Sequence, residues 1–186
     1  MKFTKYPVMP APWKLNDKYF EKFILNADIQ SKITDLAAKI NTDLAGKKPV
    51  FIVVLNGAFI FASDLIKKIT IDCEIAFVKL SSYKGTQSSG VVQQIIGLDL
   101  DLKGRTIVVV EDIIDTGLTL DIFLKTLAEM EPAEVKVAAC LLKPEPFKAR
   151  FPVDYICFSI PNEFVVGYGL DYDGLGRNSE DIYKIV

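Results

Sequence analysis

Three carboxylates lie within five residues, directly after a run of valines, in the stretch VVVEDIIDTGLTL at residues 108–120. They are Glu111, Asp112 and Asp115. A valine run is typical of a buried strand, whereas carboxylates are rarely buried unless they are paired with a cation or a hydrogen-bond donor. The stretch therefore predicts a site for a polar ligand at the end of a strand.

The turn from Asp115 to Thr119 has a composition that suits a phosphate. Backbone N–H groups at the start of a helix bind anions, and the positive end of the helix dipole assists them. Gly117 would let the backbone approach the anion closely, and Thr116 and Thr119 would add hydroxyl donors. An ordinary capped turn explains D-T-G-x-T alone equally well, so the neighbouring acids decide between the two interpretations.

Glu111 and Asp112 follow each other in the chain, so in a strand their side chains point to opposite faces of the sheet. A carboxylate only accepts hydrogen bonds, so beside a bound phosphate it needs a hydroxyl donor or a cation. A ribose 5-phosphate supplies the phosphate and two hydroxyls, and magnesium supplies the cation. The chain contains neither G-x-x-x-x-G-K-[ST] nor G-x-G-x-x-G, which disfavours P-loop NTPases and dinucleotide-binding domains.

The composition excludes several classes of site. The chain has no histidine, which removes Ser-His-Asp and Cys-His nucleophile systems and histidine-ligated metals. A formal net charge of -2 disfavours nucleic acid as the main partner. Cys73, Cys140 and Cys157 lie in apolar segments without a C-x-x-C motif, so we expect free thiols and a cytoplasmic location. No signal-peptide core and no apolar run of about 18 residues is present, so we expect no membrane association.

Strand and helix patterns alternate along the chain after an N-terminal arm, of some 20 residues, that we expect to be irregular. Helices are predicted from about residue 27 to residue 45, over residues 59–69 and over residues 118–130. Strands are predicted over residues 50–55, 73–80, 91–97, 106–110, 135–142, 155–160 and 163–170. Alternating strands and helices, with several strands apolar throughout, predict an α/β fold whose parallel sheet is covered on both faces. Ligands bind such sheets at the carboxyl ends of the strands.

VVVEDIIDTGLTL resembles the phosphoribosyl pyrophosphate (PRPP) signature of type I phosphoribosyltransferases, and EDIIDTG is most similar to the hypoxanthine–guanine phosphoribosyltransferase family. Companion motifs follow in order from about residue 50. The resemblance implies a single domain over residues 1–186, with a small hood built from the N-terminal arm and the C-terminal segment. It implies transfer of the 5-phosphoribosyl group from PRPP to N9 of hypoxanthine or guanine, with Mg²⁺ and through an oxocarbenium-like transition state.

The same resemblance implies a role for each residue of the PRPP site. The ribose diol is assigned to Glu111 and Asp112, and magnesium to Glu111, Asp112 and Asp171. The 5-phosphate is assigned to Asp115, Thr116, Gly117, Leu118 and Thr119. The pyrophosphate is assigned to Leu55, Asn56, Gly57 and Arg177. Asp115 is also expected to take the proton from purine N7, and Asn56 stands where the family usually has a lysine.

The purine is assigned to residues far along the chain. Lys143 would donate to the 6-oxo group, which selects hypoxanthine or guanine over adenine. Phe164 would stack on the base, the backbone of Val165 would bind the purine edge, and Asp171 would lie beside them. Phe147 stands where the family often carries an arginine.

The polar segment SSYKGTQSSG, residues 81–90, matches the family's mobile lid, with Ser82 and Tyr83 at its signature dipeptide. A lid would keep water from a reactive sugar cation. The family also implies a homodimer or homotetramer. Two alternatives stay open: a phosphoribosyltransferase for adenine, xanthine or a pyrimidine, and a non-catalytic regulator that senses PRPP or nucleotides.

Overall fold

The computed structural model describes residues 12–82, 92–96 and 100–186. Within these ranges the chain forms two sheets and three helices. The strands are β1 (Trp13–Leu15), β2 (Lys18–Ile24), β3 (Val50–Leu55), β4 (Glu74–Ser82), β5 (Val92–Ile96), β6 (Thr106–Ile114), β7 (Glu134–Leu142), β8 (Tyr155–Ser159), β9 (Val165–Val166) and β10 (Ile182–Ile185). The helices are α1 (Asn26–Asp43), α2 (Phe59–Ile66) and α3 (Leu118–Ala128).

The larger sheet has the strand order β5-β4-β3-β6-β7-β8. Five of its strands are parallel, and β5 pairs antiparallel with β4 at one edge. Helices α1 and α2 pack on one face and α3 packs on the other. Strand β3 is buried on both faces because each face is covered, which explains its continuous apolar sequence. The predicted α/β sheet with helices on both faces is therefore confirmed.

The smaller sheet is the predicted hood, and it has the order β1-β2-β10-β9. All its pairings are antiparallel. Its core consists of Trp13, Leu15, Phe20, Val166 and Tyr183. The expectation of an irregular arm over the first 20 or so residues is wrong from residue 13 onward, because Trp13, Leu15 and Phe20 bury their side chains along the hairpin of β1 and β2. The strand β10 was not predicted, since its four residues give too short a pattern.

A buried carboxylate joins the hood to the larger sheet and its helices. Asp181, which directly precedes β10, is 6% exposed. It accepts hydrogen bonds from the backbone N–H of Asn26 at 2.8 Å and from Lys22 Nζ at 2.5 Å. The first residue of α1 and the strand β2 are thus held by one side chain from the C-terminal segment.

Two predicted strands differ from the structure by four residues or more, and the other strand boundaries differ by at most two. Strand β6 was expected to end at Val110, but it continues to Ile114 and therefore includes Glu111 and Asp112. The reason is that β7 is equally long and pairs with this extension, for example Glu111 with Ala139. The predicted strand over residues 163–170 contains only the two residues of β9, because the chain turns at Gly167. Within the described part of the chain, no helix is long and apolar enough to cross a membrane.

Candidate active site

Three turns meet at the carboxyl edge of the larger sheet. They follow β3, β6 and β7, which are neighbouring parallel strands. The first turn carries Asn56 and Gly57, the second begins at Asp115, and the third begins at Lys143. Asn56, Asp115 and Lys143, which were assigned to pyrophosphate, 5-phosphate and purine, therefore lie on turns at one edge of the sheet, although 87 positions separate the first from the last.

The turn between β6 and α3 encloses a cleft of about 160 Å³. Gly117 is the N-cap of α3 and has a φ of 75°, a left-handed conformation that favours glycine. The first N–H groups of a helix have no partner inside the helix, so they can bind an anion. The cleft is lined by Glu111, Ile113, Ile114, Asp115, Thr116, Gly117, Leu118, Thr119 and Leu120. This set includes every residue that the sequence assigned to the 5-phosphate.

Phe147 packs against this phosphate turn. A Cβ atom at Gly117 would lie 2.8 Å from the Phe147 ring and 2.8 Å from Ala149. The backbone N–H of Lys148 donates to the carbonyl of Thr116 at 3.1 Å, and Phe147 stacks edge-to-face on Phe151. Phe147 therefore supports the turn by packing. Its role was missed because it depends on a contact across 30 positions of sequence.

The two acids of β6 are partly buried and carry perturbed pKa values. Burial raises the pKa of Asp112 from 3.8 to about 6. Burial, together with the charge of Asp112, raises the pKa of Glu111 well above its ordinary value. Asp112 Oδ1 accepts a hydrogen bond from the N–H of Ile113 at 2.7 Å. Glu111 Oε2 is buried and has no hydrogen-bond partner among the described residues.

The turn after β3 touches the acidic strand. A Cβ atom at Gly57 would lie 1.4 Å from Asp112 Oδ2, so no other residue fits at this position without displacing the carboxylate. Asn56 is exposed beside it, and the Leu55–Asn56 peptide bond is cis. The structure thus places the predicted pyrophosphate residues next to a predicted diol and metal residue.

A turn from the C-terminal segment lies on the other side of Gly57. A Cβ atom at Gly169 would lie 2.0 Å from the carbonyl oxygen of Gly57. Arg177 donates to the carbonyl of Gly169 at 2.6 Å and forms a 2.6 Å ion pair with Asp171. The charges of Arg177 and Asp171 also act on the pKa of Asp112, in opposite directions and more weakly than burial. Asp171 lies in a series of turns, not at the end of a strand as its sequence position suggested.

The carboxylates of β6 suit a magnesium ion that takes few of its ligands from the protein. Among the described residues, no group of three or more potential ligands forms a metal cage. Magnesium usually takes one or two protein carboxylates and completes its coordination with water and substrate phosphates. The unpartnered Oε2 of Glu111 is a hard oxygen donor of the required kind. The donor set therefore fits a cation that is shared with a phosphorylated ligand.

The third turn places Lys143 against Asp115 of the second turn, although the sequence gave these two residues separate roles. Lys143 is only 7% exposed, and its Nζ donates to Asp115 Oδ2 at 3.0 Å. A buried ammonium group is costly unless it is paired, so Asp115 compensates the charge of Lys143. The side chain of Asp115 is half exposed and remains accessible from solvent. A donor and an acceptor therefore stand side by side above the sheet edge.

Phe164 precedes β9 in the hood and is 45% exposed. Its ring centre lies 5.8 Å from that of Tyr172, at an edge-to-face angle, and 6.3 Å from that of Phe20. Neighbouring rings support Phe164 while almost half of its surface is open, so it can serve as a stacking platform. Val165 is buried in β9.

In the proposed lid, Ser82 ends β4, whereas Tyr83 lies outside the described residues.

Known proteins are similar to this chain in both sequence and fold. Residues 24–173 match the phosphoribosyl transferase domain family. The hypoxanthine-guanine phosphoribosyltransferase of Streptococcus pneumoniae (strain ATCC BAA-255 / R6) is 45% identical over 152 residues, which cover 81% of this chain and 84% of that protein. The protein of the same name from Lactococcus lactis is 44% identical over 164 residues, covering 87% and 89%.

Solved structures agree with the sequence relatives. A hypoxanthine phosphoribosyltransferase from Staphylococcus aureus superposes with a TM-score of 0.85 at 37% identity, covering 89% of this chain and 91% of that one. A hypoxanthine-guanine phosphoribosyltransferase from Bacillus anthracis superposes with a TM-score of 0.83 at 37% identity, covering 89% and 96%. The chain therefore belongs to the phosphoribosyltransferase family and has the type I fold that its PRPP signature implied.

Proposed function

We propose that the protein transfers the 5-phosphoribosyl group of PRPP to N9 of hypoxanthine or guanine, giving the nucleoside monophosphate and pyrophosphate. The observation that carries this proposal is the 3.0 Å pair of Lys143 and Asp115 beside the phosphate turn. The names of the relatives support the same reaction, since those proteins are hypoxanthine-guanine or hypoxanthine phosphoribosyltransferases.

The pair matches one edge of a 6-oxopurine. On this edge the O6 atom accepts a hydrogen bond and the neighbouring N7–H group donates one. Lys143 has only donors and ionised Asp115 has only acceptors, so each side chain fits one of the two atoms. Adenine carries an amino group at position 6, which would place a donor against the ammonium of Lys143. The pair therefore favours hypoxanthine and guanine through attraction and disfavours adenine through an unmatched donor.

The PRPP molecule would extend from the phosphate turn to the turn after β3. Thr116, Gly117, Leu118 and Thr119 would bind its 5-phosphate through backbone amides and hydroxyls. Glu111 and Asp112 would accept hydrogen bonds from the ribose diol. Leu55, Asn56 and Gly57, together with Arg177, would bind the pyrophosphate. Bound Mg²⁺, held by Glu111, Asp112 and Asp171 with substrate oxygens, would neutralise part of the pyrophosphate charge.

The reaction exchanges one bond at the sugar for another. The bond between C1 of the ribose and the pyrophosphate oxygen breaks, and pyrophosphate leaves with the electron pair. Purine N9 then forms its bond to C1, and the N7 proton passes to the carboxylate of Asp115. Phe164 would hold the base in line for this attack. The carboxylates near the sugar favour the positive charge that develops in the transition state.

A panel of bases tests the function. The purified protein is incubated with PRPP and Mg²⁺ and with hypoxanthine, guanine, xanthine, adenine or uracil, and pyrophosphate release is measured. We expect turnover with hypoxanthine or guanine and little with adenine. Turnover with xanthine, adenine or a pyrimidine as the preferred base would instead assign a different phosphoribosyltransferase. PRPP binding without turnover on any base would favour a regulator.

We also propose that a second copy of the chain covers the face formed by α2 and β4. Phe59, Ile75 and Phe77 are between 44% and 49% exposed there, and they border a groove of about 290 Å³. Contiguous exposed apolar groups of this kind mark interaction surfaces. Light scattering should give a dimer or tetramer, and Phe77→Glu should shift it towards monomer. A monomeric wild-type protein would contradict this assignment.

The free thiols Cys73, Cys140 and Cys157 support a cytoplasmic location.

A further inference from the structure

Tyr168 reaches from the C-terminal turn to helix α2. It is 3% exposed, and its hydroxyl donates to Asp64 Oδ2 at 2.6 Å. Burial and the charge of Asp64 raise the pKa of Tyr168, so the hydroxyl keeps its proton and remains a donor. The predicted functions of the neighbouring residues use neither Tyr168 nor Asp64.

Asp64 is the centre of a small hydrogen-bond network. It also accepts from Gln30 Nε2 of α1 at 2.6 Å and from Lys67 Nζ at 2.7 Å. Burial would raise the pKa of Asp64, but the hydrogen bonds from Lys67, Tyr168 and Gln30 outweigh burial and hold it below its ordinary value. Asp64 therefore stays ionised and fixed in position, because donors from three parts of the chain surround it.

Helix α2 begins directly after the turn that carries Asn56 and Gly57. Asp64 lies five residues beyond Phe59, the first residue of α2, which corresponds to roughly 7.5 Å along the helix axis. The C-terminal turn contacts this unit at both ends: Gly169 lies against the carbonyl of Gly57, and Tyr168 is bonded to Asp64. Two separated contacts fix the orientation of one segment against the other, whereas a single contact would leave rotation free.

The C-terminal turn needs such fixing because the backbone of Tyr168 is strained. Gly167, Tyr168 and Gly169 have φ angles of 94°, 51° and 99°, a region that glycine adopts freely. This left-handed region is unfavourable for a non-glycine residue, so Tyr168 adopts it only where other contacts compensate. Directly after this run the chain reaches Leu170 and then Asp171.

We propose that Tyr168 and Asp64 are positioning residues that set the distance between the pyrophosphate turn at Asn56 and Gly57 and the Asp171–Arg177 pair. This inference rests on the proposed function, because it assigns both segments to PRPP. Neither side chain touches the substrate in this assignment. Each acts through the backbone that it holds, and the consequence is specific to the pyrophosphate end of PRPP.

The chain offers a matched control for a merely structural role. Tyr155 is equally buried, at 1% exposure, and its hydroxyl also donates to an aspartate on a helix, Asp43 Oδ2, at 3.2 Å. This second pair joins the amino end of β8 to the carboxyl end of α1, away from the carboxyl edge of the sheet. Tyr155→Phe and Tyr168→Phe thus remove the same chemical group, and only Tyr168→Phe does so beside the PRPP residues.

The test compares wild type, Tyr168→Phe, Asp64→Asn, the double variant and Tyr155→Phe. Steady-state assays give kcat and the KM values for PRPP and hypoxanthine, and urea unfolding is followed with and without PRPP and Mg²⁺. We expect Tyr168→Phe to raise the KM for PRPP about tenfold, the effect of losing one hydrogen bond to a charged group. The KM for hypoxanthine should not change. The double variant should raise the KM for PRPP no further than the larger single effect.

The outcomes separate this inference from the proposed function. A wild-type KM for PRPP in Tyr168→Phe, or an equal rise in Tyr155→Phe, overturns the positioning role. Additive effects in the double variant overturn the link through Asp64. If the wild type consumes no PRPP with any base, the proposed function fails. The positioning role is then still decided by whether PRPP raises the urea midpoint less in Tyr168→Phe than in wild type.

Discussion

Replacing Asp112 with asparagine should stabilise the folded protein at pH 8 while weakening PRPP binding. The carboxylate of Asp112 lies against Gly57 in a partly buried position, and burial raises its pKa from 3.8 to about 6. At pH 8 the folded protein must therefore hold a negative charge in a place that disfavours it. Asparagine has nearly the same shape and keeps an oxygen for the N–H of Ile113, but it carries no charge.

The size and sign of the effect follow from the two pKa values. The folded value of about 6 exceeds the unfolded value of 3.8 by about two units, and each unit corresponds to about 1.4 kcal/mol, so the upper limit is about 3 kcal/mol. The folded state binds more protons between pH 4 and pH 6, so the wild type loses this stability as the pH rises through that window. The advantage of Asp112→Asn should be largest above about pH 7 and should vanish near pH 4.

Urea unfolding at pH 4.5, 6 and 8 measures this difference, and Asp35→Asn provides the control. Asp35 is an exposed acid of α1, so its replacement should change the free energy of unfolding by less than about 0.5 kcal/mol at each pH. PRPP with Mg²⁺ should raise the urea midpoint of the wild type more than that of Asp112→Asn. If the difference in free energy of unfolding between wild type and Asp112→Asn does not grow with pH, the charge of Asp112 does not destabilise the folded protein and the reasoning is refuted.

The other predictions concern the base and the tight backbone contacts. Asp115→Asn should lower kcat far more than it weakens PRPP binding, because the N7 proton loses its acceptor; an unchanged kcat would end that assignment. Lys143→Met should raise the KM for hypoxanthine by one to two orders of magnitude, the effect of about 1.5–3 kcal/mol from a charged hydrogen bond, while the KM for PRPP stays the same. An unchanged hypoxanthine KM would remove Lys143 from the base site. Gly57→Ala should abolish PRPP binding measured by calorimetry, since its Cβ would meet the Asp112 carboxylate, whereas exposed Ala38→Gly on α1 should bind normally. Tight PRPP binding by Gly57→Ala would show that the turn does not contact the pyrophosphate.

Much of the fold was predictable because its patterns are local. The apolar run of β3 and the helical spacing of α1 each depend on neighbouring residues, and both predictions match the structure. The extension of β6 through Glu111 and Asp112 was not predictable in the same way. Carboxylates are unfavourable in a strand taken alone, and only pairing with β7 explains why the strand continues.

The sequence assigned residues to the candidate site but not the contacts between them. The PRPP signature pointed to Asp115, and the family resemblance pointed to Lys143 after the strand predicted over residues 135–142, yet nothing local indicated that the two side chains form an ion pair. The bond between Tyr168 and Asp64 spans 104 positions of sequence and had no signal at all. Such contacts depend on how helices and strands pack against each other, so patterns among neighbouring residues do not predict them.

The order of strands in the hood determines when a base site can form during synthesis. Strand β10 lies between β2 and β9, and the N–H of Ile185 donates to the carbonyl of Phe164. Until residues 182–185 have left the ribosome, β2 and β9 have no partner on these edges. A polypeptide cut short before Ile182 would still carry every strand of the larger sheet and the phosphate turn, but the segment with Phe164 would lose the strand that joins it to β2. Premature termination would therefore leave a product that has the phosphate turn but whose aromatic residue for the base is not fixed in the hood.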